Sequence, residues 1–196
     1  MKSVDIWQFD ISPKDKSEPF LRQVLAHYLP EENLQIERGE FGKPFLPDFP
    51  KVQFNVSHSD DKLLIAVSDE MPVGIDIEQI KPRKSLSGLV KKCFSNAEQN
   101  YWFALLENDK TTVFYDFWTR KEAVVKGIGR GIVLGLNRCE IDMNAPNQFL
   151  NLPVAEQWFT QKIDISSDYC AAIATPCLAL VRKKTCNTQY VSHVLF

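Results

Sequence analysis

Two stretches, Gly74-Ile75-Asp76-Ile77-Glu78 and Phe117-Trp118-Thr119-Arg120-Lys121-Glu122-Ala123-Val124-Val125-Lys126, carry most of the structural information in this 196-residue chain. The first lies in an apolar, β-branched run (Val73, Ile75, Ile77, Ile80) with carboxylates at alternate positions. Side chains two apart on a strand share a face, so Asp76 and Glu78 point the same way. The second stretch, with Val113, Phe114, Phe117, Trp118, Val124 and Val125, has the apolar period of a helix. Such a helix fixes the aim of Glu122 and sets Lys126 on the same face, four residues on. Either motif alone also fits a solvated surface. Together they supply three carboxylates and a lysine to one site.

Magnesium accounts for such a gathering. It is a small, hard cation that prefers oxygen ligands, keeps some of its water and is shared between one or two carboxylates and substrate phosphates. The pattern suits a magnesium-bound pyrophosphate. Two further blocks add donors. In Phe41-Gly42-Lys43-Pro44 the glycine and proline predict a tight turn that holds the lysine still. In Phe54-Asn55-Val56-Ser57-His58-Ser59 a strand gives way to a polar run, and a histidine at a strand end can reach a ligand.

These four blocks, in this order and with Gly127-Ile128-Gly129-Arg130-Gly131 after the last, resemble the Sfp-type 4'-phosphopantetheinyl transferases. The resemblance covers about Leu34 to Leu136 and continues more weakly to Pro176. It implies transfer of the phosphopantetheine arm of coenzyme A to a serine of an apo acyl or peptidyl carrier protein, with release of adenosine 3',5'-bisphosphate. It further implies that Asp76, Glu78 and Glu122 hold Mg2+, and that Gly42, Lys43, Ser57, His58 and Lys126 contact coenzyme A. In that chemistry the protein mainly positions the reactants and neutralises developing charge. Lys126 is then expected to offset charge on the leaving group. Glu122 is expected to take the serine proton, directly or through a metal-bound water. The chain departs from longer members of the family at its start. The first helix is preceded by Ser12-Pro13-Lys14-Asp15-Lys16-Ser17-Glu18, mixed in charge, where those members carry a basic stretch and an arginine. Lys14, Lys16 and Arg22 are the available substitutes.

Phe54-Asn55-Val56-Ser57 followed by Leu64-Ile65-Ala66-Val67 is echoed by Ile163-Asp164-Ile165-Ser166 followed by Ala171-Ala172-Ile173-Ala174, and both read as hairpins. The echo predicts an α/β (α+β) fold of two similar halves related by a pseudo-twofold axis, each a small antiparallel sheet packed with helices. The halves are 1–109, carrying the Asp-x-Glu strand, and 110–196, carrying the Trp-x-x-Lys-Glu-Ala helix. The site is expected at their junction. Helices are predicted from Glu18 to Leu29 before Pro30, from a Ser95/Glu98 capping box to about Leu106, and from about Thr112 to Lys126, ending at Gly127.

The composition is that of a folded enzyme, 44% hydrophobic and 24% charged with a net charge of -2. The start of the chain shows no signal peptide or membrane anchor, and the five cysteines lack a C-x-x-C spacing. We therefore expect a monomer in the cytoplasm with reduced thiols and no zinc. Between Gln79 and Ala97 there are basic residues (Lys81, Arg83, Lys84, Lys91, Lys92) and no acidic one. This is a surface for an acidic carrier protein or an ordinary solvated helix face. Nucleic acid is not expected, because the net charge is negative and the patch has few aromatics. The alternative to an enzyme is a non-catalytic coenzyme A or anion-binding module. Such a module has no use for three carboxylates that would repel its ligand.

Overall fold

The computed structural model describes residues 2–30, 34–69, 71–83 and 85–185. In chain order the strands are β1 (Ser3–Asp10), β2 (Glu37–Arg38), β3 (Pro44–Phe45), β4 (Val52–Ser59), β5 (Lys62–Asp69), β6 (Gly74–Gln79), β7 (Glu140–Ile141), β8 (Phe149–Asn151), β9 (Phe159–Lys162), β10 (Tyr169–Thr175) and β11 (Leu180–Thr185). The helices are α1 (Ser17–Leu25), α2 (Leu86–Cys93), α3 (Asn96–Ala104) and α4 (Glu107–Ile128). Two sheets dominate, β11-β1-β5-β4 and β6-β10-β9, with small hairpins β2-β3 and β7-β8. No helix among the described residues is long and apolar enough to cross a membrane.

Strand alternation sets the layers. Trp7 and Phe9 of β1 and Leu63, Ile65 and Val67 of β5 pack with Phe20, Leu21, Val24 and Leu25 of α1. Their neighbours Val4, Ile6, Leu64 and Ala66 point through the other face of the sheet and meet Ile75, Ile77, Ala171 and Ile173 of the second sheet. The far face of that sheet, with Ala172 and Ala174, packs with Ala123, Val124 and Trp102 from the helical layer. Gly74, Asp76 and Glu78, one residue out of phase with Ile75 and Ile77, are therefore on the side of β6 that faces α4.

The sheets exchange strands between the two parts of the sequence. β6 from the first pairs with β10, and β11 from the second pairs with β1. The β1-β11 pair is parallel, so the first sheet is mixed and not purely antiparallel as expected. The echo hairpin also differs from expectation. Ile163–Ser166 lies in the connection, and the strand that pairs with β10 is Phe159–Lys162. Ile163 is buried in the inter-sheet core, and its amide donates to Ala171 O. Arg182 belongs to β11, where its Nε donates to Asp5 Oδ1 at 2.6 Å. Cys93, Cys139, Cys170 and Cys177 are free thiols. Lys84, Cys186 and the tail 191–196 lie outside the described residues.

Helix ends follow local chemistry. The Ser95/Glu98 capping box is formed, and α3 runs to Ala104. α1 ends at Leu25, four residues before the expected end, and tightens into a turn in which the His27 and Tyr28 amides donate three residues back. α4 starts earlier than expected and runs through Gly127 to Ile128, ending at Gly129 in the left-handed conformation (φ 78°). Gly127 is not a cap. A β-carbon on Gly74 would lie 1.9 Å from Ala123 O and 2.3 Å from Gly127 N, and one on Gly127 would lie 2.5 Å from the Trp158 ring. Gly74 is required because strand and helix touch backbone to backbone, and Gly127 because the Trp158 ring, and behind it the Gly74 amide, press on the same point.

The two glycines are not equivalent. Gly74→Ala meets backbone that cannot yield and is expected to cost more than about 3 kcal/mol. Gly127→Ala meets the buried Trp158 side chain rather than backbone at its closest contact, and is expected to cost less than Gly74→Ala. Urea denaturation of both variants checks the order; equal midpoints would show that the contact is not tight.

Candidate active site

The first and second sheets meet where β4 lies beside β6 without a backbone ladder. Side chains make the connection: the amides of Ile75, Ile77 and Gln79 donate to Asn55 Oδ1 (2.9 Å), Ser57 Oγ (3.3 Å) and Ser59 Oγ (2.9 Å). The residue offset is twenty in each case, so the two strands run in the same direction. Alternate residues of the Phe-Asn-Val-Ser-His-Ser motif thus satisfy one edge of β6 while β10 satisfies the other.

Asp76 sits at this seam, 3% exposed. Its Oδ1 accepts from Lys126 Nζ at 2.6 Å and from Ser57 Oγ at 3.0 Å, and Lys126 also donates to Ser57 Oγ at 3.0 Å. Its Oδ2 is buried and has no hydrogen-bond partner among the described residues. Burial pushes the Asp76 carboxyl above its ordinary range, against the pull of Lys126 and Ser57. Glu78 is raised by burial and then by the charge of Asp76. Glu122 is pushed up to about 7, by burial first and then by Asp76, with Lys126 opposing and Glu78 adding to the rise. The charge of Asp76 on β6 is thus felt by Glu78 on the same strand and by Glu122 on α4.

Among the described residues, no group of three His, Cys, Asp or Glu side chains is arranged as a ready metal cage. Lys126 is the cation that Asp76 holds. The donor set nonetheless suits a hard divalent ion: it is all oxygen, it is mutually repulsive, and it includes one orphaned buried oxygen.

Beside the carboxylates opens a cavity of about 400 Å³. The start of α1 (Ser17, Glu18, Leu21), the β2-β3 hairpin (Arg38, Phe41 to Pro44), β4 (Asn55, Val56, His58) and the end of α4 with its exit (Glu122, Val125, Lys126, Gly129, Gly131) line it. The structure thus brings Gly42, Lys43, His58, Glu122 and Lys126 to one hollow. Ser57, Asp76 and Glu78 are not on its wall, and Ser57 is committed to the seam. None of the proposed N-terminal substitutes reaches the cavity. Arg22 is paired with Glu18 and donates to Leu34 O at 2.8 Å, and Lys14 and Lys16 are exposed elsewhere. Arg38, which the sequence reading missed, is the additional cation on the wall. Its signal was a basic residue shortly before the Gly-Lys-Pro turn.

Lys43 lines the cavity with its stem, while its Nζ donates to Gly127 O at 2.7 Å and Val73 O at 3.2 Å. Burial lowers this ammonium to about 8. A second buried lysine, Lys121, has no exposed side-chain surface; it pairs with the equally buried Glu98 at 2.6 Å and donates to Leu136 O and Cys139 O. Glu98 also accepts from the Ser95 and Ile141 amides. The motif lysine next to Glu122 is thus a structural hub joining α3, α4 and β7.

Two packed sheets with a helical layer define an α+β fold with acidic side chains beside a cation-lined cavity. Residues 72–174, more than half of the chain, match the 4'-phosphopantetheinyl transferase superfamily. The chain is 36% identical over 126 residues to the 4'-phosphopantetheinyl transferase gsp of Aneurinibacillus migulanus, covering 64% of this chain and 50% of that protein. It is 34% identical over 130 residues to the transferase Sfp of Bacillus subtilis (65% and 57% covered) and 42% over 109 residues to the transferase AcpT of Escherichia coli K12 (55% of each). The chain belongs to the 4'-phosphopantetheinyl transferase superfamily, on its Sfp-type branch. It spans about half the length of the curated relatives it matches.

The buried pair offers a test of the helix's anchorage. Lys121→Met leaves the Glu98 charge without its cation and should cost about 3–5 kcal/mol, whereas adding Glu98→Gln should restore part of that loss. A double-mutant cycle by chemical denaturation reads the coupling; additive losses would show that the two groups do not support each other.

Proposed function

We propose that this chain transfers the 4'-phosphopantetheine arm of coenzyme A to a serine hydroxyl of an apo acyl or peptidyl carrier protein. The reading rests chiefly on one observation: Lys126 joins the Asp76 carboxylate at the edge of a cavity whose wall also carries Glu122, His58 and Arg38. Asp76, Glu78 and Glu122 would hold Mg2+, which when bound supplies positive charge to the pyrophosphate. Lys126 offsets the charge that grows on the departing adenosine 3',5'-bisphosphate as the phosphoric anhydride bond breaks and the serine Oγ–P bond forms. Glu122, on the cavity wall with Lys126, is suited to take the hydroxyl proton. His58 and Arg38 from β4 and the hairpin hold the remaining phosphates, Gly42 keeps the turn open to the ligand, and Ser57 fixes Asp76 and Lys126. A module that only bound coenzyme A would gain nothing from carboxylates facing its phosphates.

The carrier approaches α2, where Lys91 and Lys92 are exposed. Lys81 contributes less than the sequence suggested, because it pairs with Asp60 at 3.2 Å, and Arg83 lies over the Tyr115 ring. In this reading the enzyme acts as a monomer in the cytoplasm and needs neither nucleic acid nor membrane.

Intact-mass measurement of several apo carriers with coenzyme A and Mg2+ tests the assignment, with a gain of one phosphopantetheine group expected on at least one of them. Lys126→Ala should lower kcat by about 10²–10³-fold. A rise in KM for coenzyme A alone would make Lys126 a simple binding residue. Lys91→Glu with Lys92→Glu should reduce kcat/KM for an acidic carrier by about tenfold at low salt and leave coenzyme A affinity unchanged. Equal rates would move the docking face elsewhere.

A further inference from the structure

The end of α4 carries the catalytic side chains, yet its own chain does not finish satisfying it. The last four carbonyls of a helix lack intrahelical donors. In α4 the Gly129 amide returns to Val125 O, and Gly127 O takes its bond from elsewhere, from Lys43 Nζ at 2.7 Å. The same ammonium reaches Val73 O at 3.2 Å, the carbonyl that leads into Gly74 and β6. The lysine therefore bridges the two backbones at the point where strand and helix touch.

The surroundings are shaped for this bridge. Gly129 leaves room for the lysine stem, since a β-carbon there would lie 3.1 Å from Lys43 Cδ. The hairpin that presents Lys43 is braced by Arg38 Nη1 donating to Gly42 O at 3.0 Å and by the Gly39 amide donating to Lys43 O at 2.9 Å. A cation at a helix C-terminus also meets the negative end of the helix dipole. Two of the three ammonium donors are spent on main-chain carbonyls.

We propose that Lys43 is a positioning residue: a cap for α4 supplied from the β2-β3 hairpin, which holds Glu122 and Lys126 of the helix in register with Asp76 and Glu78 of β6. This deepens the transferase reading and rests on it. Lys43 then governs turnover through the relative placement of the two backbones and contributes little to holding the phosphates of coenzyme A.

The test uses the full chain, with Lys43→Met and Lys43→Arg. Misplacing reacting groups by about 1 Å costs about 10²-fold, so Lys43→Met should lower kcat by about 10- to 100-fold. Its Kd for adenosine 3',5'-bisphosphate, measured by calorimetry, should stay within about threefold of wild type. Arginine, which can also span two carbonyls, should recover most of the rate. In ligand-free Lys43→Met, amide hydrogen exchange should quicken at residues 127–131 and 73–75 and remain unchanged in β1 and β5. A tenfold rise in Kd, or exchange indistinguishable from wild type, overturns the proposal. Wild-type protein that modifies no apo carrier overturns the transferase reading instead, and the exchange measurement still decides the cap.

Discussion

A hydrogen atom on the Gly74 α-carbon is all that the approach of β6 to α4 permits. With the Ala123 carbonyl where a β-carbon would sit, strand and helix are in direct backbone contact, and Gly127 with Trp158 behind it closes the same gap from the helix side. Everything chemical follows from that separation. Residues two and four positions beyond Gly74 are Asp76 and Glu78, and residues flanking Ala123 and Gly127 are Glu122 and Lys126. Lys126 of the helix therefore reaches Asp76 of the strand directly. A larger residue at the contact would spread strand and helix and carry the carboxylates apart.

Such closeness has an electrostatic cost that the fold offsets locally. Three acidic groups are drawn toward low-dielectric surroundings, where burial raises each of them, the Asp76 charge raises Glu78 and Glu122 further, and Glu78 adds to the rise of Glu122. Lys126 neutralises the most buried of them, and Ser57 donates to the same oxygen. One oxygen of Asp76 remains unsatisfied, which is rare in a folded interior and characteristic of places where a protein does more than fold. The deeper pair Lys121 and Glu98 illustrates the contrast. Every donor and acceptor there is engaged, and the result is a rigid joint behind the site.

The alternating carboxylates of β6, the apolar period of α4, the capping box at Ser95 and the turn at Gly42 were all legible in the sequence, because each is a local rule of backbone geometry. What the sequence hid depends on distant partners. Gly127 reads as a helix stop, but only the presence of Gly74 across the gap reveals it as a contact. Asn55, Ser57 and Ser59 look like the wet edge of a strand; their use as acceptors for the amides of β6 appears only when the strands are laid side by side. Lys43 and Arg38 differ from ordinary hairpin cations through what the hairpin meets, a helix terminus and a cavity wall. The echo of the first hairpin misled by a few residues because burial between sheets makes Ile163 look like a strand residue without placing it in a ladder.

The pairing of β1 with β11 has a consequence for synthesis. Asp5 meets Arg182 across 177 residues of chain, and β6 finds its ladder partner only when β10 has been made. On the ribosome, β1 leaves the exit tunnel long before its outer neighbour exists. A nascent chain carrying α1 and the β4-β5 hairpin can bury part of its first core, but both β1 and β6 present an open edge until β10 and β11 have been made. Long-range pairing of this kind is slow to form and leaves sticky edges in the interim. Chain elongation rate and holding chaperones are therefore expected to govern the yield of this protein more than the stability of the finished fold does.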